Sequence, residues 1–353
     1  MTGPVDPRPW HRHYDRGVPA NLSFADLTLS QLLANAVRQY PERDAVRFQN
    51  ARLTFRELHG EVCRLGAALT GLVAKPGDRV AIQLPNIPQC VIAFYAVLEI
   101  GAVPAMTNPL YVPREIEYQW NDCGATVAIV GDWIYQQKIK AIRDRLPVRH
   151  YIVAGVAEYL RFPLKQLARF KLRRMKPPMT AAVAPSEGIH FFRQLVIRTP
   201  VPSLSPERET SVSMDDVAVL LYTGGTTGVS KGAMLTHRNL SCNVQQLTAW
   251  FHQPPGQEVQ LSALPFFHSF GMTVAMAFPL SIAATLVLIP NPRDIKGVLQ
   301  AIVKHRVTLA PQGDAPLPTR VLRGHVVLHG EPVSIAVRTW RSFFAVVIRE
   351  SGP

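Results

Sequence analysis

The sequence predicts an α/β fold of layered, mainly parallel sheets with flanking helices. Three observations predict it. Short apolar runs rich in β-branched residues recur along the chain. Between them lie stretches whose apolar residues return every three or four positions, the period of a half-buried helix. Proline and glycine mark the joins, and strands that alternate with helices in this way stack as parallel sheets covered by helices.

Taken in order, residues 54–72 form an amphipathic helix, with Phe55, Leu58, Val62, Leu65, Leu69 and Leu72 on one face. Lys75-Pro-Gly-Asp78 is a turn, and 79–84 a strand. Pro88 opens an apolar helix that runs through Ile100 and ends at Gly101. Pro113 starts a helix to Asp122, stopped by Cys123-Gly124. Residues 126–130 are a strand, Asp132 caps a helix to Arg145, and 151–154 are a strand. From 159 to 206 the rhythm breaks. It resumes at Val217 with a strand, a loop, a helix over about 237–251 and a strand over 259–264. A helix after His268, a strand to Ile289, a helix over 292–305 and a strand beginning at 307–310 follow. Residues 312–353 show no helix period; five arginines occur there without a lysine.

The 353 residues suffice for two domains or one large one, and 47% apolar content supports a large core. A net charge of +13 favours anionic partners such as nucleotides, coenzymes or acidic lipid. Cys63, Cys90, Cys123 and Cys242 stand at no metal-ligand spacing from one another and have apolar flanks. They read as reduced, mostly buried thiols of a cytoplasmic protein. The N-terminus shows no apolar signal-peptide core. Residues 269–292 carry no charge and are long enough to span a bilayer, but Gly271, Pro279 and Ser281 interrupt them. They read as a buried helix followed by a buried strand.

Residues 161–176 hold seven Lys/Arg and no acid, interleaved with Phe162, Leu164, Leu167, Phe170, Leu172 and Met175. One reading is peripheral contact with an anionic membrane; the other is a solvated insertion packed on the domain. Nucleic acid is not expected, since no recognised binding module accompanies the run.

Residues 222–232 read Tyr-Thr-Gly-Gly-Thr-Thr-Gly-Val-Ser-Lys-Gly, between the apolar run 217–221 and a helix-like run from Thr236. This is the layout of a strand, a phosphate-gripping loop and a helix. Glycines leave N–H groups open to an anion, hydroxyls add donors, and Lys231 adds a mobile positive charge. The spacing fits neither the Walker A pattern nor the dinucleotide fingerprint.

This loop resembles the phosphate loop of the AMP-forming adenylating enzymes, and the likeness continues through Ala233-Met-Leu-Thr-His-Arg-Asn-Leu240, as in long-chain acyl-CoA ligases. Leu264-Pro-Phe-Phe-His-Ser-Phe-Gly-Met272 is similar to the next motif of that family. Residues 54–58, 75–80, 101–111 and 121–125 fall in family order, and the resemblance runs from about Pro9 to Pro311. It implies that 1–311 are the incomplete large N-terminal domain of the adenylating fold, with a basic insertion at about 159–206.

The implied chemistry joins a fatty acid to ATP as an acyl-adenylate, then transfers the acyl group to coenzyme A. By resemblance, Thr223, Gly224, Gly225, Thr226, Thr227, Gly228 and Lys231 grip ATP, with Lys231 catalytic and Thr223 a contact of Mg²⁺. His268, the second catalytic candidate, stands between nucleotide and acyl pocket, or is a hydrogen-bonded core histidine. Phe270, Gly271 and Met272 line the acyl pocket, or are plain core. The resemblance leaves open a medium-chain or aryl acid as substrate, and a non-catalytic binding remnant as another class. The family's later adenine, magnesium-glutamate and ribose motifs and its C-terminal catalytic-lysine domain find no match, so 312–353 read as a frameshifted or truncated ending. Little or no ligase activity is expected of the chain alone.

Overall fold

Most apolar runs named above become strands of two sheets. The computed structural model describes residues 8–14, 17–72, 74–200, 212–223 and 230–308. The first elements are α1 (Leu29–Gln39), β1 (Asp44–Phe48), β2 (Ala51–Thr54), α2 (Phe55–Gly71), β3 (Arg79–Gln83) and α3 (Pro88–Glu99). Next come β4 (Val103–Met106), α4 (Pro113–Cys123), β5 (Val127–Gly131), α5 (Asp132–Ile134), β6 (His150–Ala154) and α6 (Leu164–Arg174). Then follow β7 (Ile189–Phe191), α7 (Phe192–Arg198), β8 (Val217–Thr223), β9 (Lys231–Thr236) and α8 (His237–Phe251). The last are β10 (Val259–Ser262), α9 (Ser269–Met272), α10 (Phe278–Ser281), β11 (Thr285–Leu288) and α11 (Ile295–His305).

One sheet has seven strands in the order β7-β6-β5-β3-β4-β8-β9; the other has four in the order β10-β11-β1-β2. All pairings are parallel except β1–β2 and β8–β9. The layered, mainly parallel α/β architecture is thus as the sequence predicts.

Local chemistry accounts for the helix ends. Thr54 caps α2 by accepting from Glu57 N, while the Glu57 carboxylate accepts from Thr54 N, a reciprocal box. Pro88 starts α3, which is buried from Pro88 through Leu98. A helix apolar all round belongs between layers, and α3 packs on α2 and against β4. Gly124 ends α4 at φ 62°, the left-handed conformation that glycine adopts at low cost.

Several local expectations need correction. Asp132 does not cap a long α-helix: Gly131 is the N-cap, and the helix gives way to a π-turn (Tyr135–Ile139) and a 3-10 turn (Lys140–Arg145). The Asp132 side chain instead accepts from Trp133 N at 2.6 Å and from the Thr180 hydroxyl at 2.8 Å. The rhythm lost at 159 returns at Ile189, where β7 extends the seven-stranded sheet and α7 packs on α2.

The uncharged stretch after His268 is a buried helical segment, interrupted by a π-turn (Thr273–Ala277), followed by buried β11. No described helix is long and apolar enough to cross a membrane. Of the strand expected at 307–310, Val307 and Thr308 are described: Thr308 N donates to Val259 O at 3.0 Å, and the rest lies outside the described residues. Residues 312–353 also lie outside them.

Candidate functional site

Thr223 is the last residue of β8, Lys231 is the first of β9, and the two are paired in register. The loop candidates Gly224, Gly225, Thr226, Thr227 and Gly228 lie outside the described residues. The strand after the loop corrects the strand–loop–helix layout. β9 runs antiparallel to β8 until Thr236 pairs with Val217, where Thr236 caps α8. The α8 N-terminus therefore stands roughly 17 Å from Lys231, at the far end of β9. A helix dipole acts within about one turn, so it does not reach Lys231.

Both feet of the loop are tied to α4. The Tyr222 hydroxyl donates to Asp122 Oδ2 at 2.5 Å, and the Tyr118 hydroxyl donates to Ser230 O at 2.8 Å. Tyr118 and Asp122 are one helical turn apart, hence on one face. The Ser230 hydroxyl closes the base by donating to Thr223 O at 2.9 Å. Burial, and then donation to the Asp122 carboxylate, hold the Tyr222 proton more tightly than in a free phenol. Gly232 is required opposite: a Cβ there would stand 2.9 Å from the Tyr222 ring.

The second motif is held by a residue that the sequence did not single out. Asn86, just beyond β3, is buried. Its Nδ2 donates to Ser262 O at 3.0 Å and to Leu264 O at 2.7 Å, and its Oδ1 accepts from Phe266 N at 3.0 Å. One side chain thus links the C-terminal end of β3, in the larger sheet, to that of β10, in the smaller. Because β3, β4 and β8 are parallel neighbours, Thr223 emerges at the same end of the sheet, two strands or roughly 10 Å across. Ligands of parallel α/β sheets sit beyond the C-terminal ends of the strands. The local signal for Asn86 is an Asn between prolines, Pro85-Asn-Ile-Pro88, where a strand stops.

His268 is the N-cap of α9, its Nδ1 accepting from Phe270 N at 3.4 Å. His268 is exposed, and what desolvation it has lowers its pKa, which favours the neutral imidazole. Gly271 packs backbone on backbone, and a Cβ there would meet Pro265 O at 2.1 Å. Met272 is buried in the main core and Phe270 is half-buried against it. A cavity of about 460 Å³ opens elsewhere, under α6, beside Asp132, Glu158, Arg169 and Arg173, and contains none of these candidates.

Comparison with known proteins identifies the family. Residues 33–312 match the family described as AMP-binding enzyme. The chain is 33% identical over 310 residues to a long-chain-fatty-acid–CoA ligase of Bacillus subtilis (strain 168), covering 86% of this chain and 53% of that protein. It is 33% identical over 310 residues to the protein of the same name from Escherichia coli O157:H7, covering 85% and 53%. Among solved structures it is similar to a long-chain-fatty-acid-CoA ligase from Archaeoglobus fulgidus, with TM-score 0.67, 20% identity, and coverage of 84% of this chain and 53% of that one. The anthranilate CoA ligase AuaEII in complex with anthranoyl-AMP gives TM-score 0.67 at 23% identity, covering 81% and 49%. These two structural likenesses speak to the fold alone. The chain spans about half the length of the curated relatives it matches.

Proposed function

The chain belongs to the AMP-binding enzyme family, and from that premise we propose that it carries the phosphate-gripping and acyl-side parts of a long-chain fatty-acid–CoA ligase. The observation that carries this reading is the juxtaposition of two motifs at one end of the parallel sheet. The 222–232 hairpin is anchored to α4, and the 264–272 segment is fastened there by Asn86.

In this reading Thr223, Gly224, Gly225, Thr226, Thr227 and Gly228 cradle the β- and γ-phosphates of ATP with N–H and hydroxyl donors. Lys231 catalyses by compensating charge that builds on those phosphates. The fit to Mg²⁺ is partial. Thr223 is exposed and offers one hard oxygen, and no acid occurs among 222–223 and 230–236. That suits an ion carried mainly on phosphates and water, with Thr223 as its protein contact. Bound there, Mg²⁺ would neutralise phosphate charge. His268 supplies a neutral imidazole between nucleotide and acyl chain, and Phe270, Gly271 and Met272 wall the acyl side.

Coenzyme A is the second substrate. The full two-step activity is proposed for the whole protein, and this chain spans about half the length of its relatives. In this reading the protein works in the cytoplasm and touches anionic membrane through 161–176, a contact supported by the exposure of Phe162, Leu167 and Phe170 among basic residues.

One relative favours a second reading: the chain is 31% identical over 267 residues to a protein named 4-coumarate–CoA ligase 1 from Oryza sativa subsp. japonica. Melting of the purified chain with MgATP and a panel of acids separates the two. Long-chain fatty acids raise the melting temperature more than aryl acids in the first reading, and the reverse order overturns it. A thioester assay on the same sample, with coenzyme A added, tests the turnover expectation. Acyl-CoA formation abolished by Lys231→Ala contradicts it.

A further inference from the structure

Helices α2 and α3 bring together three side chains that the nucleotide site does not use. His59 and Cys63 are four residues apart on α2, so both project from one face. Glu99 is the last residue of α3. Cys63 Sγ lies 3.7 Å from His59 Nε2 and 3.8 Å from Nδ1. The ligating atoms of His59, Cys63 and Glu99 all lie within 4.8 Å of one another. Cys63 is buried and the other two are half-buried, so the group is sheltered but open to solutes.

We propose that His59, Cys63 and Glu99 bind a divalent transition metal, with zinc the best match. An imidazole nitrogen, a thiolate and a carboxylate oxygen are the donor mixture zinc takes, and a poor one for magnesium. With bonds of about 2.0 Å to nitrogen and 2.3 Å to sulfur, tetrahedral ligand atoms stand roughly 3.6 Å apart. The imidazole–sulfur separation is already close to that spacing. The flexible Glu99 side chain covers the remaining distance, on the order of 1 Å by the same geometry. Three protein ligands leave a fourth position for water, and the carbonyls at the α3 C-terminus add negative potential beside Glu99.

Binding displaces the Cys63 thiol proton to solvent, since the thiolate is the ligand. With ligands from both helices, the metal cross-links α2 to α3. A search for cysteine pairs passes over such a mixed set; its sequence signal is His-x-x-x-Cys on one helix face.

The test is cobalt titration of the reduced, metal-stripped chain. We expect one equivalent bound, with a thiolate-to-cobalt charge-transfer band that zinc displaces. Cys63→Ser abolishes the band, and His59→Ala or Glu99→Gln weakens binding about tenfold or more, as for loss of one ligand or its support. Cys242→Ser leaves the band in place. Zinc raises the melting temperature of the parent chain and not that of Cys63→Ser, with circular dichroism checking that each variant is folded. A folded, reduced parent chain without the band overturns the proposal. So does a band that survives Cys63→Ser and is lost in Cys242→Ser. No nucleotide enters the assay, so its outcome is independent of the ligase reading.

Discussion

The Tyr222 hydroxyl donates to Asp122 Oδ2 at 2.5 Å, joining the strand that leads into the phosphate loop to α4. Tyr118, one turn earlier on α4, holds the other foot through Ser230 O. The loop is therefore a hairpin tip whose two ends are fixed to one helix face. Removing either tie should loosen the tip and leave the rest of the fold intact. Tyr222→Phe and Tyr118→Phe should each cost about 1 kcal/mol in unfolding free energy. Hydrogen exchange at 224–229 should rise in both, most in the double variant. Unchanged exchange there would show that α4 does not position the loop.

Asn86 makes three hydrogen bonds to backbone that lacks solvent. Asn86→Ala removes the partner of Leu264 O and Phe266 N, while Ser262 O keeps its bond from Ile289 N at 3.2 Å, and should cost on the order of 2–4 kcal/mol in denaturant unfolding. Asn86→Asp keeps the acceptor for Phe266 N, loses both donors and buries a charge, so it should not rescue stability.

Gly271→Ala places a methyl group 2.1 Å from Pro265 O, closer than any carbon–oxygen contact allows. The 264–272 segment must shift, at a cost of roughly 1–3 kcal/mol. A melting temperature equal to that of the parent chain would mean the turn at Pro265 has room to move.

Burial pushes the Glu158 carboxyl up to about 7, against the lowering effect of its hydrogen bond from Gln89 Nε2 at 3.1 Å. A folded pKa above the unfolded value means that the stability tied to the neutral carboxyl is fully present below about pH 4.5. It is lost as pH rises through about 7. Glu158→Gln should remove this loss. The variant should gain on the order of 1–3 kcal/mol over the parent chain between pH 5 and pH 8. Urea unfolding at the two pH values checks it.

The α6 surface exposes Leu167 and Phe170, next to exposed Phe162. Replacing Phe162, Leu167 and Phe170 together by serine should weaken co-sedimentation with anionic vesicles by about tenfold or more. Raising the salt should weaken the parent's binding as well. Binding that ignores both changes would assign α6 to the solvated-insertion reading.

Legibility of the fold followed how strongly each segment constrained itself. The box at Thr54 and Glu57, the proline that opens α3 and the glycine that ends α4 are local signals, and each stands where its chemistry requires. β1 and β2 are hard to read because Asp44, Arg47 and Arg52 break up short runs, and the parallel partner of β1, β11, lies far along the chain. β9 was missed for another reason. Its residues Lys231–Thr236 are exposed or half-buried, so no buried face marks them, and they run straight into the α8 cap. The π-turns at 135–139 and 273–277 follow from packing and have no pattern that separates them from α-helix. At the candidate site the motif residues were legible from chemistry. Asn86, Tyr118, Asp122 and Tyr222 were not, because their roles exist only once distant segments meet.

The most direct test of the account is calorimetric titration of MgATP into the purified chain and into Lys231→Ala. The account predicts measurable binding by the parent chain, weakened about tenfold or more by loss of the lysine, as for a charge-assisted contact to phosphate. Equal affinity of the two folded proteins, or no binding by the folded parent chain, would contradict the phosphate-gripping role assigned to residues 223–231.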